Sequence, residues 1–162
     1  MPQVSTVPPE ALPQIPSALQ VEHRVIHEAL LRATKAPGDI GTAARELAGA
    51  LHDHFVREEE IALPPLGLLA ALARGEFTPE MRAVLPMTEA LRAELPRMLD
   101  EHQAIHAATR RLGEVARKAG NAEVQQLAEA LALHAQSEEE VFYPAALLVG
   151  EVVESRSQAH GS

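Results

Sequence analysis

Apolar side chains recur along most of this 162-residue chain at steps of three and four, the spacing that places them on one face of a helix. The first such stretch opens at Ser17, directly after Pro16, with Gln20 placed as in a capping box, and runs to about Thr34 before Pro37-Gly38-Asp39 ends it. The second begins near Thr42 and carries Leu47, Leu51, His54, Glu58 and Ile61 on one face until Pro64-Pro65 kinks or stops it. A third covers roughly residues 87–118, with Leu95, Met98, Leu99, His102, Ile105, His106 and Thr109 along one side and a distortion expected at Pro96. The fourth follows the Gly120-Asn121 terminator and cap, spans about 122–150, and aligns Leu127, Leu131, His134, Glu138, Val141 and Ala145. No stretch alternates convincingly with period two, and the abundant Ala, Leu, Glu, Arg and Gln all favour helices.

The connection over residues 66–85 is less regular. It reads as a short helical piece through Ala73, then Arg74-Gly75, then Thr78-Pro79-Glu80 as N-cap, first-turn proline and first-turn acid, with no legible function. Residues 1–16 contain Pro2, Pro8, Pro9, Pro13 and Pro16, which deny the segment helix hydrogen bonds, so it is expected to be a flexible arm. The polar residues 154–162 are expected to form a flexible tail.

The chain also matches itself at an offset of 79–80 residues. Glu22-His23-Arg24-Val25-Ile26-His27 aligns with Glu101-His102-Gln103-Ala104-Ile105-His106, and His54-x-x-x-Glu58-Glu59-Glu60-Ile61 aligns with His134-x-x-x-Glu138-Glu139-Glu140-Val141. Pro64 aligns with Pro144. The expected fold is therefore all-α: an antiparallel four-helix bundle over residues 17–153, built from two repeated helical hairpins and preceded by the Pro-rich arm. Packing the hairpins together would bring eight metal-capable side chains toward one centre: His23, His27, His54, Glu58, His102, His106, His134 and Glu138. Burying Glu58 and Glu138 without cations, metal or protons would cost several kcal/mol each, roughly, and a metal centre removes that cost.

The other candidates read differently. His52 points about 200° away from His54 around the helix, toward solvent, and His160 belongs to the tail. Glu59, Glu60, Glu139 and Glu140 fit a solvated acidic face, although a local helix bulge would let Glu59 or Glu139 replace its neighbour. Phe142 is expected as an apolar cover near the site, and Tyr143 as a partly buried core residue.

Composition narrows the chemistry. Cys is absent, which removes thiolate sites, Fe–S clusters and Cys nucleophiles and is compatible with a reducing compartment. Aromatic residues make up 2% of the chain and the formal charge is −9, which disfavours stacking on bases and contact with phosphate backbones, so no nucleic-acid partner is expected. The longest uncharged apolar run, Ile61 to Ala73, is too short to span a bilayer, and no secretory signal is visible at the N-terminus; no membrane association and a cytoplasmic location are the default expectations. Imidazoles with carboxylates suit iron, with manganese or zinc as competitors. Glu-x-x-His, used by other dinuclear carboxylate bundles, does not occur, and neither does His-Glu-x-x-His.

With its His … His-x-x-x-Glu … His … His-x-x-x-Glu order, the sequence resembles the hemerythrin family, in particular the bacterial hemerythrin-like domains that bind cations through this pattern. The likeness covers residues 17 to about 150. It implies a four-helix bundle holding two non-haem irons with a bridging oxo or hydroxo group. Carried over by position, His23, His54, His102 and His134 are similar to terminal ligands, and Glu58 and Glu138 to bridging carboxylates. His106 matches a paired His on the third helix of the oxygen carriers, whereas His27 has no clear equivalent there. The carriers also bridge through a carboxylate five residues after the fourth-helix His, where this chain offers Glu138 at four and Glu139 at five.

The resemblance implies a protein that carries, scavenges or senses dioxygen or another small diatomic. The alternatives are a di-iron redox enzyme acting on peroxide or nitric oxide, with an unidentified redox partner, and an iron-responsive sensor. If His27 and His106 both bind, no position is left for a small ligand; if one stays off, a position opens; if both stay off, redox turnover becomes feasible.

Overall fold

The computed structural model describes residues 13–161, and these are all-helical with no strand among them. Most of the expected Pro-rich arm lies outside the described residues. Helix α1 runs Ser17–Thr34, α2 Gly38–Ile61, α3 Leu69–Ala73, α4 Leu85–Lys118, α5 Ala122–Ser137 and α6 Tyr143–His160; 3-10 turns occupy Pro64–Leu68 and Pro79–Val84, and a π turn, Glu138–Phe142, joins α5 to α6. Two compact units emerge, and α2, α4 and the α5–α6 run each contribute residues to both.

The first unit comprises Ser17–Arg57 and Glu94–Val141. Its four helical segments share one apolar core, in which Ile26 and Leu30 of α1, Leu47 and Leu51 of α2, Ile105 and Leu112 of α4, and Leu127 and Leu131 of α5 are buried, giving a helical bundle. The α1–α2 turn is tighter than the sequence suggests. Gly38 has φ +69°, which reverses the chain directly into α2, so Thr42 sits inside the first turn and its hydroxyl donates back to the Gly38 carbonyl at 3.2 Å instead of capping the helix. Arg45 donates to the Thr34 carbonyl at 2.9 Å and so satisfies one of the last acceptors of α1. At the other turn, Asn121 accepts from the Val124 N–H at 3.1 Å, as an N-cap should. Along α4 the buried face is narrower than expected: Met98, His102, Ile105, Thr109 and Leu112 are buried, Leu95 is half-buried and Leu99 is exposed.

Among the described residues, the second unit comprises 13–16, 58–93 and 142–161. The stretch that was irregular in sequence builds its core, with Leu68, Ala71, Leu72, Met81 and Val84 packed with Val149 and Val153 of α6. Residues Ser155 to His160, expected to be a loose tail, continue α6. Arg156 donates to the carbonyls of Glu76 and Leu72 at 2.8 and 3.1 Å, Arg82 donates to the Ser157 hydroxyl at 3.1 Å, and the His160 ring lies 5.0 Å from that of Phe77. These polar residues therefore serve as anchors. Gly150 is required where α6 meets α4, since a Cβ there would lie 2.3 Å from the Thr88 hydroxyl oxygen. Among the described residues no helix is long and apolar enough to cross a membrane.

The π turn changes which residues face inward. A π turn takes one more residue than an α turn, so the buried stripe His134, Glu138 continues through Tyr143 and Ala146 instead of Val141 and Ala145. Val141 is 56% exposed, Phe142 is half-buried, and Tyr143 is almost completely enclosed.

Candidate metal centre

Four helices of the first unit each deliver one buried imidazole: His23 from α1, His54 from α2, His102 from α4 and His134 from α5. Each lies on the apolar stripe of its helix, so core packing itself turns the rings inward. They pair through their Nε2 nitrogens, with His23 Nε2 2.9 Å from His134 Nε2 and His54 Nε2 2.8 Å from His102 Nε2. At most one proton fits between two such nitrogens, so at least one nitrogen of each pair keeps its lone pair, directed at its partner.

The carboxylate of Glu138, at the start of the π turn, lies among these rings. Its Oε1 is 2.6 Å from His134 Nε2 and 3.6 Å from His23 Nε2, while its Oε2 is 3.2 Å from His102 Nε2. The two oxygens thus face different histidine pairs, as a bridging carboxylate requires. Within the unit, His54, His102 and Glu138 offer ligand atoms within 4.8 Å of one another, and so do His23, His134 and Glu138. Glu58, one turn beyond His54 on the same helix, is also buried. Within the second unit, Glu58 accepts a short hydrogen bond from the Tyr143 hydroxyl.

The Nδ1 nitrogens are also held. His54 Nδ1 is 2.7 Å from Glu101 Oε2, His102 Nδ1 is 2.8 Å from Glu139 Oε1, and His134 Nδ1 is 3.0 Å from Glu22 Oε1. Glu139 also meets His106 Nε2 at 3.0 Å, and His102, His106 and Glu139 form a third, partly exposed metal-capable group. Phe55 stacks on His23 with ring centroids 4.9 Å apart.

These contacts shift the titrations. Burial alone would raise Glu138, but hydrogen bonds with His102, His134 and His23 outweigh it and hold the carboxyl well below the usual range. Burial would lower His134, yet its bonds to Glu138 and Glu22 raise it to about 9. Glu101 and Glu139 are lowered: slight burial opposes the shift, and bonds to His54 and Arg97, and to His102 and His106 respectively, overcome it.

Of the sequence-predicted residues, His23, His54, Glu58, His102, His134 and Glu138 are buried. His106 is half-buried and bound to Glu139. His27, expected on the buried stripe of α1, is exposed and belongs to none of the metal-capable groups among the described residues. His52 is exposed. Sequence reasoning missed the contacts of Glu22 and Glu101, although the Glu-His dipeptide that contains each stands out in the repeat. Phe142, expected as an apolar cover, is half-buried, and Phe55 stacks on a site histidine.

The donor set fits a pair of cations. It offers imidazole nitrogens and carboxylates, no thiolate, and a carboxylate with one oxygen toward each histidine pair. Neither the curated proteins nor the solved structures gave a match. Residues 14–146 match the family model described as Hemerythrin HHE cation binding domain, and the chain belongs to that family.

Proposed function

We propose that this chain is a non-haem di-iron protein that binds dioxygen or another small diatomic, for carriage, scavenging or sensing. In this reading the helical bundle is an antiparallel four-helix bundle of two repeated hairpins. His23 and His134 would hold one iron, His54 and His102 the other, and Glu138 and Glu58 would bridge them. The observation that carries the reading is the Glu138 carboxylate, whose two oxygens face two different imidazole pairs. Bound iron supplies reversible redox chemistry and coordination positions for a small ligand. The chain's own residues supply the rest: a buried apolar enclosure that excludes water, and carboxylates on the ring nitrogens that keep the imidazoles aimed inward.

The exposure of His27 and the engagement of His106 with Glu139 support a centre whose histidine ligands are the four buried ones, which leaves positions over for a ligand. Manganese or zinc would fit the same donors, and iron is the choice that gives dioxygen chemistry. On exposure of the reduced, iron-loaded protein to air, a charge-transfer band that disappears again on deoxygenation is expected. Irreversible oxidation within the mixing time would reject oxygen binding.

The same open positions favour a second reading, a redox enzyme acting on peroxide or nitric oxide and supplied by a redox partner. Steady-state assays with both substrates decide it, since turnover no faster than that of free iron removes it.

A further inference from the structure

The Glu-His dipeptide occurs once in each sequence half, as Glu22-His23 on α1 and Glu101-His102 on α4. Each dipeptide grips a ring from the opposite half at both nitrogens. On α1, His23 Nε2 meets His134 Nε2 at 2.9 Å while Glu22 meets His134 Nδ1 at 3.0 Å. On α4, His102 Nε2 meets His54 Nε2 at 2.8 Å while Glu101 meets His54 Nδ1 at 2.7 Å. The histidines held in this way are those of the two His-x-x-x-Glu motifs. Glu101 is itself steadied by Arg97, which donates to its other oxygen at 2.9 Å.

Such a grip has a definite chemical effect. A carboxylate accepting from Nδ1–H fixes the rotation of the ring and leaves the lone pair on Nε2, the nitrogen turned to the centre, while raising its basicity. The carboxylates of Glu22 and Glu101 are partly exposed, so their removal admits water and need not open a cavity in the core.

We infer that Glu22 and Glu101 are positioning residues, each aligning and strengthening one metal-ligating histidine of the other half: Glu22 acts on His134 and Glu101 on His54. The inference rests on the metal-centre reading above, and it makes the two halves depend on each other at each iron.

The test uses the full-length protein titrated anaerobically with ferrous iron, with bound metal measured by elemental analysis. Glu101→Ala and Glu22→Ala should each weaken one of two iron equivalents by about 10–100-fold and leave the other unchanged. Glu101→Gln and Glu22→Gln, which keep an acceptor oxygen, should recover part of the loss. In the metal-free protein, the slowly exchanging Nδ1 proton of His54 should give an NMR signal in wild type and Glu22→Ala and lose it in Glu101→Ala. The His134 signal should show the converse. Two full-affinity irons in both alanine variants would overturn the inference, as would ring-proton signals indifferent to the substitutions. A wild-type protein that takes up no iron would reject the proposed function, and the ring-proton signals would still decide the contacts.

Discussion

The segments His54–Pro64 and His134–Pro144 begin alike and end differently. Both read His-x-x-x-Glu-Glu-Glu, then Ile or Val, then two residues and a proline. In the first, α2 stays regular: His54, Glu58 and Ile61 are buried, Glu59 and Glu60 are exposed, and the helix ends before Pro64-Pro65. In the second, the chain widens into the π turn, Glu139 is half-buried against His102 and His106, and Tyr143 takes the enclosed position. The prolines suggest why. A proline inside a helix clashes with the carbonyl four residues back. At Pro64 the helix stops, so no clash has to be relieved, whereas past Pro144 α6 continues, and the wider turn before it is where the strain is absorbed. The first turn of the motif sets the histidine and its carboxylate, and the fate of the following proline sets where the next carboxylate goes.

The largest effect expected from breaking this comparison is on metal content. Glu138→Ala removes the oxygens that face both histidine pairs, so elemental analysis should find both irons lost, whereas His52→Ala should retain them. Next come single-residue deletions. In a Pro144→Ala background, where no ring needs the wider turn, deleting Val141 removes the extra residue of the π turn and lets the flanking helix keep its faces, so thermal melting should change little while Glu139 leaves His102. Deleting Glu60 from the regular α2 turns Ile61, the last residue of the helix, about 100° away from its buried face and should destabilise the protein by several kcal/mol, on the order of 3. Equal melting losses in the two deletions would refute the difference in register.

A smaller effect concerns acidity. In the metal-free protein His134 is raised to about 9, so at neutral pH a cation must displace its proton. Ferrous affinity should therefore fall as pH falls, by about tenfold per unit from this residue alone between its folded value and neutrality. The sign reverses for metal-free stability: the raised pKa contributes stability that is complete below the ordinary histidine value and is lost as pH rises through about 9. The smallest effect is expected at His27, where substitution by Ala should leave iron content and melting unchanged, because the side chain is exposed.

The periodicity of the sequence was enough to locate the long helices, and the repeat picked out six imidazoles and two carboxylates, of which four imidazoles and both carboxylates are buried. What it left out has physical causes. His27 and His106 occupy the same place in the repeat, about 40° beyond His23 and His102 and on the side away from the apolar stripes, Ile26, Leu30 and Ala33 in one case and Ile105, Thr109 and Leu112 in the other. Spacing by four alone hid that offset. His106 is nonetheless engaged because Glu139 reaches it from the π turn, which no hydrophobic pattern announces. Likewise, Arg156 and His160 look like tail residues until their partners Glu76 and Phe77, distant in sequence, are known.

The carboxylates on the Nδ1 nitrogens bear on electron transfer as well as on alignment. An imidazole that donates to a carboxylate takes on imidazolate character and becomes a stronger donor, and stronger donors favour the more highly charged ion. In the proposed di-iron centre, carboxylates on the rings of His54, His102 and His134 would lower the reduction potential relative to a centre whose rings donate to neutral carbonyls. The resting protein in air would then be the ferric form, and the demand on any reductant would be set in part by three glutamates that stand behind the ligating rings.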